Sequence, residues 1–225
     1  MSARRFHHPE THQPFSFSAE TEQKIAWWEK KYPADRRQSV VIPALWITQK
    51  QNDGWLSEPA LRAVAERVGM PYIRVYEVAT FYTMFNLEPV GRFHFQVCGT
   101  TPCMLRGSEA LIDVCRERIG PSGAVSEDGL FSWIEVECLG ACVNAPMIQI
   151  NDYYYEDLTP ASLTTLLDDF AAGRSPEPGP YVDRDTSAPQ GNARVLVAEE
   201  LYDGSRAKPL KIPNTPDQSA NGGAE

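Results

Sequence analysis

Apolar residues recur along the chain at two different periods. Before residue 92 they return every three or four positions, and after it every second position. Helical spacing begins at Ser18, which can cap a helix whose first turn carries Glu20 and Glu22, where they complement the helix dipole. Ile25, Trp28 and Tyr32 share one face of that helix, and Pro33 ends it. A second helix is predicted from Val40 to Gln51, with Pro43 near its start and Asn52-Asp53-Gly54 as its stop. Ser57-Glu-Pro opens a third; Leu61, Val64, Ala65 and Val68 form its apolar stripe, and Gly69 closes it. A fourth runs from about Tyr72 to Tyr82, after Pro71.

The period changes after Glu88-Pro-Val-Gly-Arg92. Phe93, Phe95 and Val97 alternate with His94 and Gln96, as a half-buried strand does. A helix is predicted from about Met104 to Ile119, carrying Leu111, Val114, Cys115 and Ile119 on one face, and Gly120-Pro-Ser-Gly123 breaks it. Strands are predicted at Phe131–Glu137, Met147–Ile150 and Tyr153–Tyr155, and a closing helix spans Pro160 to Ala172 with Leu163, Leu166, Leu167 and Phe170 inward. The predicted class is α+β: helices first, then a mixed sheet flanked by helices. We divide the chain into a mobile N-terminal segment (1–17), a helical subdomain (18–87), a mixed-sheet domain (88–172) and an extended tail (173–225). The 53 residues of the tail hold 7 prolines and 6 glycines. That composition leaves Val195 to Leu201 as the only patch with an ordering signal, and the rest is expected to stay disordered or lie along a partner.

Composition narrows the partners. A formal charge of −9 and a pI of about 5.0 repel phosphate backbones, so nucleic acid is not expected. No run approaches the roughly 20 apolar residues of a membrane span. Twin arginines near the start are followed by His7, His8, Glu10 and His12 rather than by an apolar run, so a solvated cytosolic tail is expected. There is no G-x-G-x-x-G after a strand and no G-x4-G-K-[ST], so no site for NAD, flavin or ATP is expected on this chain, and no catalytic residue is assigned.

The five cysteines carry the remaining chemistry. Four fall in two clusters, Cys98-Gly-Thr-Thr-Pro-Cys103 and Cys138-Leu-Gly-Ala-Cys142, each at the end of a predicted strand. Structural zinc knuckles usually leave two residues between ligands; the gaps of four and three here suit a larger object, such as a cluster whose two irons each take two thiolates. Iron–sulfur therefore ranks ahead of structural zinc, and disulfides third. Gly99 and Gly140 sit inside the loops and are expected to let backbone N–H groups approach the sulfurs. Pro102 and Pro146 stiffen the loops, and Glu135 and Glu137 just before Cys138 would disfavour an added electron. Cys115, alone on a helix's apolar face, is expected in the core. His94 is expected to be a surface or packing residue, and the tail histidines at most weak chelators.

These motifs resemble one family. Cys98-Gly-Thr-x-Pro-Cys103 and Glu137-Cys138-Leu-Gly-x-Cys142-x-x-Ala145-Pro146, with Val75-Tyr-Glu-Val-Ala-Thr-Phe-Tyr82 upstream, resemble the thioredoxin-like [2Fe-2S] subunits of respiratory complex I, the E subunits of NADH–quinone oxidoreductases. The likeness runs from about Ser18 to Phe170. It implies a helical domain plus a thioredoxin-like domain in which Cys98, Cys103, Cys138 and Cys142 bind one [2Fe-2S] cluster. It also implies an NADH-binding flavoprotein partner holding FMN, other peripheral-arm partners, and a cytoplasmic site on the inner membrane without insertion (the matrix side in a mitochondrion). Related subunits of NAD-linked hydrogenases and formate dehydrogenases share the cysteine motifs, and a zinc scaffold module is the alternative of another class.

Overall fold

The structure, a computed structural model, describes residues 14–191, 196 and 198–204; His7, His8 and His12 lie outside them. The described residues fall into two compact units, one ending at Val182 and the other starting at Asp183.

The first unit begins with helices α1 (Ala19–Glu29), α2 (Val41–Gln51), α3 (Glu58–Val68) and α4 (Tyr72–Phe81). Ser18 and Ser57 cap α1 and α3 by accepting the N–H groups of Thr21 and Ala60, and Gly69 ends α3 in the left-handed region. A 3-10 segment, Ala34–Val40, which the apolar period did not reveal, leads into α2. These helices close on Ile25, Leu45, Leu61, Val64, Val75 and Phe85, all fully buried.

The sheet comes next, with strands β1 (Phe93–Cys98), β2 (Phe131–Val136), β3 (Ile148–Ile150), β4 (Tyr153–Glu156) and β5 (Gly179–Pro180) in the order β2-β1-β3-β4-β5. β1 runs parallel to β2, with Cys98 opposite Val136, and antiparallel to β3. Helices α6 (Ser108–Arg118) and α7 (Pro160–Ala171) join one face of the sheet in a single core with Phe95, Val97, Trp133, Ile148 and Ile150. Gly91 lets the chain pass close to β2: a Cβ there would run into the backbone of Phe131. The α+β class is as expected.

Two elements differ from the sequence reading. The helix expected over Met104–Ile119 is two: α5 (Thr101–Leu105) and α6, separated at Gly107, whose φ of 99° no helical residue adopts. The extended segment after Gly173 supplies β5, parallel to β4, and the Tyr155 hydroxyl donates to the Pro176 carbonyl (3.2 Å). Period-based reading cannot find a two-residue strand of glycine and proline. In the second unit a single 3-10 turn, Glu199–Leu201, falls within the patch marked for order.

His94 is a packing residue. It is 6% exposed, between β2 and β3 on β1, and its Nδ1 lies 2.8 Å from Ser132 Oγ. Its backbone N–H donates to Asn151 Oδ1 (2.9 Å), and burial lowers its pKa to about 4.

Candidate metal centre

β1 and β2 are parallel neighbours, so the chain leaves both at the same end of the sheet. Cys98 is the last residue of β1, and Cys138 comes two residues after β2 ends. Cys103 sits in the first turn of α5, and Cys142 begins a 3-10 turn, Cys142–Asn144. The fold thus delivers one cysteine pair from each of two adjacent crossings of the sheet's edge.

Backbone and side-chain bonds hold the loops. The Cys98 N–H donates to the Met147 carbonyl (3.3 Å). The Tyr154 hydroxyl donates to the Leu139 carbonyl (2.8 Å), and Arg106 Nε reaches the Ala145 carbonyl (3.4 Å). Cys98, Cys103, Ala145 and Met147 are buried together, with Leu139, Ala141 and Tyr154 packed around them. Cys138 and Cys142 are exposed, their sulfurs 3.3 Å apart. The set is therefore asymmetric, with one pair inside and one at the surface.

The thiols differ in acidity by position. Burial pushes Cys98 up, but bonds from the Thr100 hydroxyl and N–H, the Cys103 thiol and the Leu139 N–H outweigh it and hold Cys98 below the ordinary thiol value. Burial, reinforced by the thiol's bond to Cys98, pushes Cys103 up to about 12. The Gly140 N–H, the Cys142 thiol and the Thr100 hydroxyl lower Cys138, while sharing its proton with Cys138 raises Cys142. Each loop thus pairs an easily ionised sulfur with a partner that keeps its proton, and metal binding would displace those protons.

The donors fit an iron–sulfur cluster in chemistry. Four sulfurs meet as two pairs, and the groups facing them are amide N–H and hydroxyl donors, which stabilise anionic sulfur. Among the described residues no group of three His, Cys, Asp or Glu is arranged around a single metal ion. The Gly99 N–H itself extends the β ladder by donating to the Val136 carbonyl (3.1 Å), and the amides that face sulfur are those of Thr100, Leu139, Gly140, Met147 and Cys142 itself. Gly99 instead makes room for Glu135, whose carboxylate a Cβ there would strike. Gly140 is needed for its φ of 84°.

Cys115 takes no part. It is fully buried in the sheet–helix core, and burial raises its thiol to about 12. Sequence reasoning overlooked Thr100 and Tyr154. A threonine between two clustered cysteines was the available signal for the first; for the second there was none, because its partner lies in another loop.

A family model described as the thioredoxin-like [2Fe-2S] ferredoxin matches residues 25–171. The chain is 48% identical over 233 residues to an NADH-quinone oxidoreductase E subunit, the one numbered 1, of Rhizobium meliloti (strain 1021), covering 98% of this chain and 84% of that one. It is 56% identical over 140 residues to the NADH-quinone oxidoreductase E subunit of Rickettsia bellii (strain RML369-C), covering 62% of this chain and 84% of that one. Among solved structures, an air-oxidised NAD+-reducing [NiFe]-hydrogenase matches with a TM-score of 0.51 at 23% identity, over 61% of this chain and 24% of the other; at that identity the likeness is one of fold.

Proposed function

The chain belongs to the thioredoxin-like [2Fe-2S] ferredoxin family, and from that premise we propose that it is the electron-transfer subunit of an NADH–quinone oxidoreductase. It works as one subunit of a multi-subunit oxidoreductase. Cys98, Cys103, Cys138 and Cys142 are its cluster ligands, and one [2Fe-2S] cluster, when bound, supplies one-electron transfer. The observation that carries this reading is the arrival of four cysteines, as two pairs, at one edge of the sheet among N–H and hydroxyl donors.

The chain's own residues do three things. Cys98 and Cys103, 2% and 1% exposed, keep half of the ligand set out of water. The N–H groups of Leu139, Gly140 and Met147 neutralise part of the sulfur charge. Cys138 and Cys142 leave the other half at the surface; Val143, next to Cys142, and Met104 and Leu105, next to Cys103, are exposed apolar side chains. A rim of that kind is what a partner covers. The partner we assign is the NADH-binding flavoprotein subunit, whose FMN passes an electron to this site; NADH and FMN belong to it. No helix among the described residues is long and apolar enough to cross a membrane. We place the subunit at the cytoplasmic face of the inner membrane, held there by its partners. We keep the division into 18–87, 88–172 and 173–225, with the helical subdomain and the tail gripping the larger subunit.

The same site could serve an NAD-linked hydrogenase or formate dehydrogenase. The close relatives carry the oxidoreductase name, whereas the hydrogenase likeness is one of fold, so the first assembly is preferred. The test is direct. The purified chain, made anaerobically with iron, is expected to hold about two irons and two sulfides and to give an EPR signal on reduction. Each of Cys98→Ala, Cys103→Ala, Cys138→Ala and Cys142→Ala should lose or badly destabilise it. A colourless protein holding zinc under those conditions sinks the reading. Co-purification with a flavoprotein that carries hydrogenase subunits instead would reassign the assembly.

A further inference from the structure

Thr100 stands at the N-cap of α5, with the extended backbone of a cap (φ −78°, ψ 166°). A threonine there ordinarily accepts the N–H of the second or third helical residue. Ser18, Ser57 and Thr159 all make that bond, at α1, α3 and α7. Thr100 does not. Its hydroxyl lies 3.3 Å from Cys98 Sγ and faces Cys138 Sγ. Cys98 comes from the first cysteine loop and Cys138 from the second. The hydroxyl has therefore left the helix end it could cap and sits where the two loops meet.

We propose that Thr100 is a positioning residue: its hydroxyl donates to the Cys98 and Cys138 sulfurs, holding the two loops together and raising the reduction potential of the cluster they bind. The proposal rests on the ligand assignment above. The physical reason is charge. A two-iron cluster with four thiolates carries a net charge of about −2 oxidised and about −3 reduced. A donor fixed on its sulfurs favours the more negative state, so losing that donor makes the added electron harder to accept. The hydroxyl has one hydrogen, so it serves one sulfur at a time and is shared between the loops.

The structure also supplies the control. Because Thr100 makes no capping bond, Thr100→Val removes the hydroxyl while keeping the branched shape and costs α5 no cap. Thr100→Ser keeps the hydroxyl and removes only the methyl. The measurement is an EPR-monitored redox titration of the full chain, wild type beside T100V and T100S, with iron and sulfide analysis of each. T100V should keep its iron and show a potential shifted to more negative values, and T100S should titrate with the wild type. Loss of iron from T100V with retention in T100S supports the same contact through its positioning role. An unmoved potential in iron-replete T100V overturns the proposal, as does a T100S shift as large as that of T100V. A wild-type chain that takes up no iron fails the ligand assignment itself, and the proposal with it; an iron-replete wild type with an indifferent T100V fails this proposal alone.

Discussion

Lowering the pH from 7 to 5 should destabilise this fold by about 2 kcal/mol through His94 alone. The imidazole is 6% exposed; its Nδ1 faces the Ser132 hydroxyl, and its Nε2 is buried without a hydrogen-bond partner. Burial lowers its pKa from 6.5 to about 4. Between those two values the unfolded chain takes up a proton that the folded chain refuses, so the unfolded state gains with each step of acidification. The sign follows: stability is full above about pH 6.5, falls as the pH drops through the window, and falls no further through this group below about pH 4. At about 1.4 kcal/mol per pH unit, the step from 6.5 to 5 gives the 2 kcal/mol, and the whole window about 3. The assay is urea unfolding at pH 7 and pH 5 for the wild type and for His94→Gln, which cannot titrate there. Other titrating groups, and any acid loss of the cluster, are common to both proteins and cancel in the difference. The wild type should lose about 2 kcal/mol more than the variant. Equal losses in the two proteins would refute the reasoning.

Two further outcomes separate structural residues from site residues. Cys115→Ala should keep the full iron content and cost about 1–2 kcal/mol in urea unfolding, since it removes one fully buried sulfur from the sheet–helix core. Iron loss in that variant would mean that the ligand assignment is wrong. Gly91→Ala should cost about 1–3 kcal/mol, because its Cβ meets the backbone of Phe131 rather than a side chain that can swing away; an unchanged melting temperature would show that the turn into β1 relaxes freely.

Much of the fold is readable in the sequence because helices and strands here carry clean periods. α1, α3 and α7 announce themselves by cap, stripe and stop. β1 and β2 announce themselves by alternation and by cysteines where the chain turns. The failures have local physical causes. Gly107 splits the expected helix ahead of its apolar stripe through its φ of 99°, and a residue's backbone angle is invisible to a period. β5 has no pattern at all; it is a strand because β4 offers it an edge. His94, read as a surface or packing residue, is settled as packing by the neighbouring strands, Ser132 and Asn151, which bury it. Gly99, expected to let backbone N–H groups approach the sulfurs, gives its own N–H to the Val136 carbonyl through parallel pairing, while the next amide, that of Thr100, faces Cys98.

The asymmetry of the cysteine pairs is not readable, and it bears most on function. Both motifs are loops after strands, so spacing alone treats them alike. The difference lies in the element that succeeds each first cysteine. After Cys98 the chain turns into α5, and Cys103 in its first turn points back into the packing of Ala145 and Met147. After Cys138 the chain has only a short 3-10 turn, tied down at Leu139 by Tyr154, and both its sulfurs stay at the surface. Electron tunnelling needs the donor close, whereas ligand retention needs the sulfurs shielded. A single loop cannot maximise both, and here the two demands fall on different loops. The α5 loop shields its sulfurs, and the Cys138 loop, with exposed Val143 after Cys142, presents its own at the surface. Thr100, bonded to Cys98 and facing Cys138, is then the contact proposed to make the two halves act as one site.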